Sequence, residues 1–197
     1  MKTRTILLRG YPRNCSRYIK ALERRLAALE GRSVGLRFLP ALTADGRRLY
    51  SNRAHGEPVH AGSFIRKREI VLDQELERQP KELARILVHE LFHFAWVRLG
   101  NPARRSYEAL VREECRRRAR GELGWSAELR KRGLSKSSMR TGQSPPWRDY
   151  LCESFCDTAA WVYSGVRRHP EYTLAARHRN RRAEWFQAAF EQGAIPI

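Results

Sequence analysis

Apolar residues along the chain fall into two textures. Before residue 80 they mostly alternate or cluster in short runs, with one helical stripe near the start, and from Pro80 onward recurrence every three or four positions dominates. Thr3 to Arg9 predicts a strand, and Ser16 to Glu30 a helix with Ile19, Leu22, Leu26 and Leu29 on one stripe and Gly31 as its C-cap. Val34–Leu39 alternates and stops at Pro40, which predicts a second strand. Weaker strand signals lie around Arg47 to Ser51 and Ser63 to Ile65, and Ile70-Val71-Leu72 is a further short apolar run. The first part therefore reads as a small sheet with one helix against it.

Pro80 suits a first helical turn, and Leu83, Ile86, Leu87, Leu91, Phe94 and Val97 keep helical spacing until Gly100 and Pro102. That predicts a helix of about 20 residues, near 30 Å, at the centre of the core. Further helices are expected over Pro102 to Glu122, from Ser144-Pro145-Pro146 through Ser164 with Gly165 as its stop, and from about Pro170 to Glu191. Between them lies a Gly/Ser-rich basic loop, Arg132 to Ser144. The expectation is one α+β domain over residues 1–197, mixed sheet first and mostly helical after, carrying a basic helical and loop insertion at about 100–148.

Composition sharpens this picture at one point. Lys and Arg number 39 against 21 Asp and Glu, a formal charge of +18. Residues 100–148 alone carry thirteen basic and five acidic side chains, and Arg167, Arg168, Arg177, Arg179, Arg181 and Arg182 form a second cluster. Such charge favours nucleic acid or another polyanion as a partner, or is simply a solvated face. No apolar run approaches the roughly 18 residues that span a bilayer. Met1 to Gly10 holds only Ile6-Leu7-Leu8 before Arg9, and Cys15, Cys115, Cys152 and Cys156 are too irregular for a disulfide framework. Reduced thiols and a cytoplasmic location are expected.

Chemistry concentrates in His89-Glu90-Leu91-Phe92-His93, an H-E-x-x-H motif inside the long predicted helix. Residues four apart share a helical face, so both imidazoles can reach one zinc ion while Glu90 faces the same open side. Composition alone would give roughly 0.015 such matches. A catalytic zinc needs a third protein ligand, and no histidine lies between His93 and His169. Glu153 is the better candidate, because it and Asp157 stand four apart on an otherwise apolar helix, where two carboxylates need a cation. Glu153 would bind the metal and Asp157 would accept the free ring N–H of a ligand histidine. Cys152 and Cys156, also four apart, offer a structural Cys/His site as the alternative. His55 and His60 flank a Gly/Pro turn and read as loop residues.

His89-Glu90-x-x-His93 followed by Glu153-x-x-x-Asp157 resembles the gluzincin metallopeptidases, and the size and order of elements resemble the compact minigluzincin type over roughly residues 64 to 165. The resemblance implies a zincin-like fold, with an edge strand that aligns a peptide substrate, and an Asp157 that orients His89. It further implies a zinc metalloendopeptidase in which His89, His93 and Glu153 hold Zn²⁺ and Glu90 is the general base. Segment Ser63 to Leu72 is the candidate edge. Tyr163, His169 and Tyr172 are candidates for the side chain that stabilises the oxyanion. The alternatives are a basic nucleic-acid-associated protein with a structural zinc, and a non-catalytic zincin-like binding module.

Overall fold

The computed structural model describes residues 7–26, 28–46, 48–52, 56–135, 137–138, 144–191 and 193–197. The first part comprises β1 (Leu8–Arg9), α1 (Ser16–Arg25), β2 (Leu29–Glu30), β3 (Val34–Leu39), β4 (Leu42–Asp45), β5 (Arg48–Ser51), β6 (Glu57–Pro58), β7 (Ala61–Phe64) and β8 (Glu69–Asp73). The second comprises α2 (Pro80–Arg98), α3 (Asn101–Arg116), α4 (Trp125–Arg132), α5 (Pro145–Tyr163), α6 (Ala176–Phe190) and a short β9 (Ile195–Pro196). Strands and helices are largely segregated along the chain, an α+β arrangement. None of the described helices is long and apolar enough to cross a membrane.

The principal sheet is mixed, in the order β1-β3-β8-β7, with β1, β3 and β8 parallel and β7 antiparallel at the edge. Ile70, Val71 and Leu72 are fully buried, which is why β8 reads as an unbroken apolar run: an interior strand covered on both faces has no polar side. The segment expected to form the edge, Ser63 to Leu72, is therefore divided. Its start belongs to edge strand β7, a 3-10 turn at Ile65–Lys67 follows, and its end is interior. A three-stranded sheet, β5-β4-β6, follows β3. Of the first expected strand only Leu8–Arg9 is observed, and residues 3–6 lie outside the described part.

Helix α1 stops at Arg25 rather than Glu30, because Leu29 pairs with Ile195 in a two-stranded parallel sheet. Gly31 is accordingly no helix cap. At φ +140° it brings the backbone against Ile197, where a Cβ would lie 2.1 Å from the carbonyl oxygen.

Helix α2 is the centre of the core. Leu87, Val88, Leu91, Phe92, Phe94 and Ala95 are fully buried on almost every side of it. Its last carbonyls are capped from outside: Arg104 donates to Trp96 O at 3.1 Å and Val97 O at 2.8 Å. Helix α5 begins as expected, with the Ser144 hydroxyl accepting from Trp147 N, and ends before Gly165. It packs along α2 through Phe155, whose ring lies 5.8 Å from Phe92 and 5.1 Å from Trp96 and stacks on Phe186 of α6 at 4.9 Å.

The expected helix over Pro102 to Glu122 ends at Arg116, and α4 was not expected. The interruption is held by buried charge. Arg182 is fully buried, and its guanidinium donates to Glu114 at 2.6 Å and Glu122 at 2.8 Å. Glu122, equally buried, also accepts from Lys131 at 2.8 Å and from the Tyr150 hydroxyl at 2.5 Å. Arg182, counted above among the basic cluster, is thus an internal cation with no access to a partner. The last helix likewise starts at Ala176 rather than Pro170, because residues 173 and 174 bond Glu122 O at 2.9 and 3.0 Å and hold that stretch non-helical. The basic loop expected over Arg132 to Ser144 falls in part outside the described residues.

Replacing Arg182 by Met should leave buried Glu114 without its guanidinium and Glu122 with Lys131 alone, and destabilise the fold by about 3–5 kcal/mol. Urea denaturation of the variant is the check, and a loss under about 1 kcal/mol would show the network to be dispensable.

Candidate metal centre

Pro80 and Leu83 start α2, and the apolar face that buries Leu87, Val88 and Leu91 in the core sets the register of His89 and His93. Both imidazoles emerge on the side facing α5, one turn apart. There the two Nε2 atoms lie 3.2 Å from each other, and Glu153 Oε2 lies 3.3 Å from His89 Nε2 and 3.9 Å from His93 Nε2. Metal–ligand bonds of about 2.0–2.1 Å at tetrahedral angles separate ligand atoms by about 3.3–3.4 Å, so this spacing fits a zinc ion.

The outer nitrogens of both rings are engaged. His89 Nδ1–H donates to Asp157 Oδ1 at 2.7 Å, and His93 Nδ1 faces Cys152 Sγ at 3.4 Å. With both Nδ1 protons so placed, the two Nε2 lone pairs and a carboxylate oxygen converge: three acceptors with no donor between them. A cation has to fill that point, either protons or a metal. Burial lowers His89, yet Asp157 and Glu153 raise it well above the ordinary imidazole range. Burial likewise lowers His93, and Cys152 and Glu153 outweigh it to reach about 9. Burial alone would raise Glu153; the two imidazoles and Arg130 hold it at about 2.

Asp157 is satisfied on both oxygens. Oδ2 accepts from Ala127 N at 2.9 Å, in the first turn of α4. That contact depends on Gly124, where a Cβ would lie 2.2 Å from Asp157 Cγ. The sequence predicts no element over residues 123–131, yet this glycine and the turn after it complete the hydrogen bonding of the carboxylate that holds His89.

A cleft of about 690 Å³ opens over His89, Glu90 and Glu153. Strand residues Glu57 to Ala61 form one side, and Trp125, Leu129 and Arg130 of α4 the other. Trp125 and Leu129 are each at least half exposed, large apolar surfaces facing the opening. Glu90 sits on the cleft floor and accepts the Ser63 hydroxyl at 2.5 Å. His60, read from sequence as a loop residue, lines the cleft, whereas His55 lies outside the described residues.

The three oxyanion candidates are not on the cleft wall. Tyr163 stacks on Phe92 at 5.4 Å, and burial pushes its hydroxyl up to about 12. His169 Nε2 pairs with Glu82 at 2.9 Å, and Tyr172 packs against the His169 ring at 5.5 Å. The cations that do line the cleft are Arg85, neutralised by Glu82 and Glu171 at 2.9 Å each, and Arg130.

A second donor set shares His93. Its Nδ1 and the thiols of Cys152 and Cys156 come within 4.8 Å of one another. All four cysteines of the chain are free. Cys156 hydrogen-bonds Cys152 and, together with His93 and against burial, brings that thiol down to about 6. The set is softer, and unlike the first it does not open on the cleft, since neither cysteine lines it.

Comparison with protein-family models, with curated proteins and with solved structures finds no match for this chain.

Zinc-edge X-ray absorption of the purified protein is expected to show one ion with nitrogen and oxygen neighbours only; sulfur in the shell would assign the ion to His93, Cys152 and Cys156. Glu153→Ala should lose the metal, and Asp157→Asn should weaken it by about 10–100-fold. Uptake of zinc near neutral pH should release protons from the imidazoles, read by calorimetry in buffers of different ionisation enthalpy.

Proposed function

We propose that the protein is a zinc-dependent metallopeptidase of gluzincin type on a zincin-like fold, with His89, His93 and Glu153 as ligands and Glu90 as general base. The observation that carries this reading is the convergence of His89 Nε2, His93 Nε2 and Glu153 Oε2 at 3.2–3.9 Å, with His89, Glu153 and a second carboxylate, Glu90, lining an open cleft. Zinc held there would supply a Lewis acid that lowers the pKa of a water and polarises a carbonyl oxygen.

The remaining work falls to the chain. Glu90 accepts the proton of the attacking water and returns it to the leaving amine. Ser63 fixes the carboxylate of Glu90 by its hydroxyl hydrogen bond, so the base does not swing away from the cleft floor. Asp157 keeps the Nδ1 proton of His89 in place and so presents Nε2 as the metal-binding nitrogen.

Edge strand β7 supports a peptide as the substrate. Asp73 N donates to His60 O at 2.7 Å. By antiparallel alternation His60, Gly62 and Phe64 therefore direct their backbone groups to β8, and Ala61 and Ser63 direct theirs outward. An extended peptide can add there as a further strand. Its apolar side chains would meet Trp125 and Leu129 across the cleft.

With a mixed fluorogenic peptide library as probe, zinc-loaded wild type should cleave, and Glu90→Gln should retain one zinc while losing about 10²–10⁴-fold in turnover. A Glu90→Gln protein that cleaves as wild type does would refute the base; wild type that holds zinc and cleaves nothing would favour a structural metal.

A further inference from the structure

Remote from the metal centre, a second cavity of about 680 Å³ lies where the end of α1, the end of α5 and the start of α6 meet. Its wall carries three arginines from three segments, Arg25, Arg167 and Arg179, and no Asp or Glu. We propose that this cavity binds the phosphate backbone of nucleic acid, independently of sequence.

Several arginines elsewhere in the basic stretches are engaged within the protein itself. Arg104 caps α2, Arg116 and Arg117 pair with Glu113, Arg132 pairs with Glu128, and Arg182 is buried on Glu114 and Glu122. Among the described residues no carboxylate lies within ion-pair distance of Arg25, Arg167 or Arg179. Their net charge is thus available to an outside anion.

Two of the three are already positioned. Arg25 donates to Ser164 O at 3.2 Å and lies against Gly165, where a Cβ would come within 2.4 Å of Nη1. Arg179 stacks its guanidinium 5.9 Å over Trp161. Ordering these side chains beforehand lowers the entropy lost on binding.

The backbone adds to the same field. Ala176, the first residue of α6, is on the wall, and the helix has no side-chain cap at its start. Residues 178 and 179 already donate to Ala175 O, which leaves the N–H groups of residues 176 and 177 at the positive end of a 15-residue helix. Unpaired arginines and an uncapped helix start are both phosphate ligands.

Two observations favour nucleic acid over a lipid surface. Exposed Arg168 and Arg177 flank the cavity in sequence and extend the charge beyond one phosphate. The exposed large apolar side chains, Tyr18, Val97, Trp125 and Leu129, are all absent from the wall, which therefore lacks the protruding apolar anchors of a lipid-inserting surface. Arg179 stacks on the Trp161 ring, and the groups that converge on the cavity are guanidinium groups and backbone N–H, which read phosphate rather than base edges.

The test is fluorescence anisotropy with a labelled mixed-sequence duplex of about 20 base pairs over a range of KCl concentrations. Wild type should bind with a linear log–log salt dependence. Arg25→Ala/Arg167→Ala/Arg179→Ala should lose about tenfold or more in affinity and reduce the slope by about 2–3, one for each phosphate released. Asn180→Asp/Gln187→Glu, which places two carboxylates on the same wall and removes no arginine, should weaken binding in the same direction and covers the case that the triple variant does not fold. Arg66→Ala, at the turn before β8, should change affinity by less than about twofold. Equal losses in Arg66→Ala and the cavity variants would refute the site in favour of diffuse charge. Wild-type binding by both cavity variants would also refute it, as would Arg-dependent binding of phosphatidylserine vesicles without binding of duplex.

Discussion

A carboxyl group at 2% exposure has to be satisfied on both oxygens, and the way Asp157 achieves this organises the functional half of the molecule. One oxygen takes the Nδ1 proton of His89, which fixes the imidazole and aims Nε2 at Glu153. The other takes a backbone N–H from the first turn of α4, which brings that helix over the cleft. The residue thus ties α2, α5 and α4 together, and Gly124 is the only residue type that fits the approach. Without these bonds neither the His89 imidazole nor the cleft wall has a defined place.

The excess of arginine has several structural uses before it has any for a partner. Arginine caps the last turn of α2, neutralises Glu82 and Glu171 at the cleft wall, and fills the core between Glu114 and Glu122. The buried group at Arg182 secures the irregular link between α3 and α4, since Glu122 within that link also meets Lys131 and Tyr150. Three further arginines, Arg25, Arg167 and Arg179, meet where α1, α5 and α6 come together, on a wall that carries no Asp or Glu among the described residues.

Much of this was legible in the sequence where a local rule governs. Period and punctuation place α2 and α5 almost to the residue, with Pro80 opening one and Ser144 capping the other. The spacing within H-E-x-x-H and between Glu153 and Asp157 is fixed by helix geometry, so the convergence of these side chains follows once the two helices pack. What escaped was decided by distant partners. Leu29 continues the stripe of α1 in sequence, yet Ile195, far along the chain, draws it into a strand. Helix α4 has no apolar period strong enough to announce it, and its start is set by Asp157 and Glu171 accepting its first N–H groups. Arg182 looks like a surface charge because burial of an arginine depends on two glutamates about 60 residues away. Tyr163, His169 and Tyr172 stand off the cleft wall because of contacts that the sequence does not announce: Tyr163 stacks on Phe92 and His169 pairs with Glu82.

The placement of Ala127 behind Asp157 means that the shape of the cleft and the electron supply to His89 are one variable. Any displacement of α4 by an occupant pressing on Trp125 or Leu129 alters the hydrogen bond at Oδ2, and with it the charge that Oδ1 lends the imidazole. Occupancy of the wall and basicity of the His89 imidazole are therefore mechanically geared.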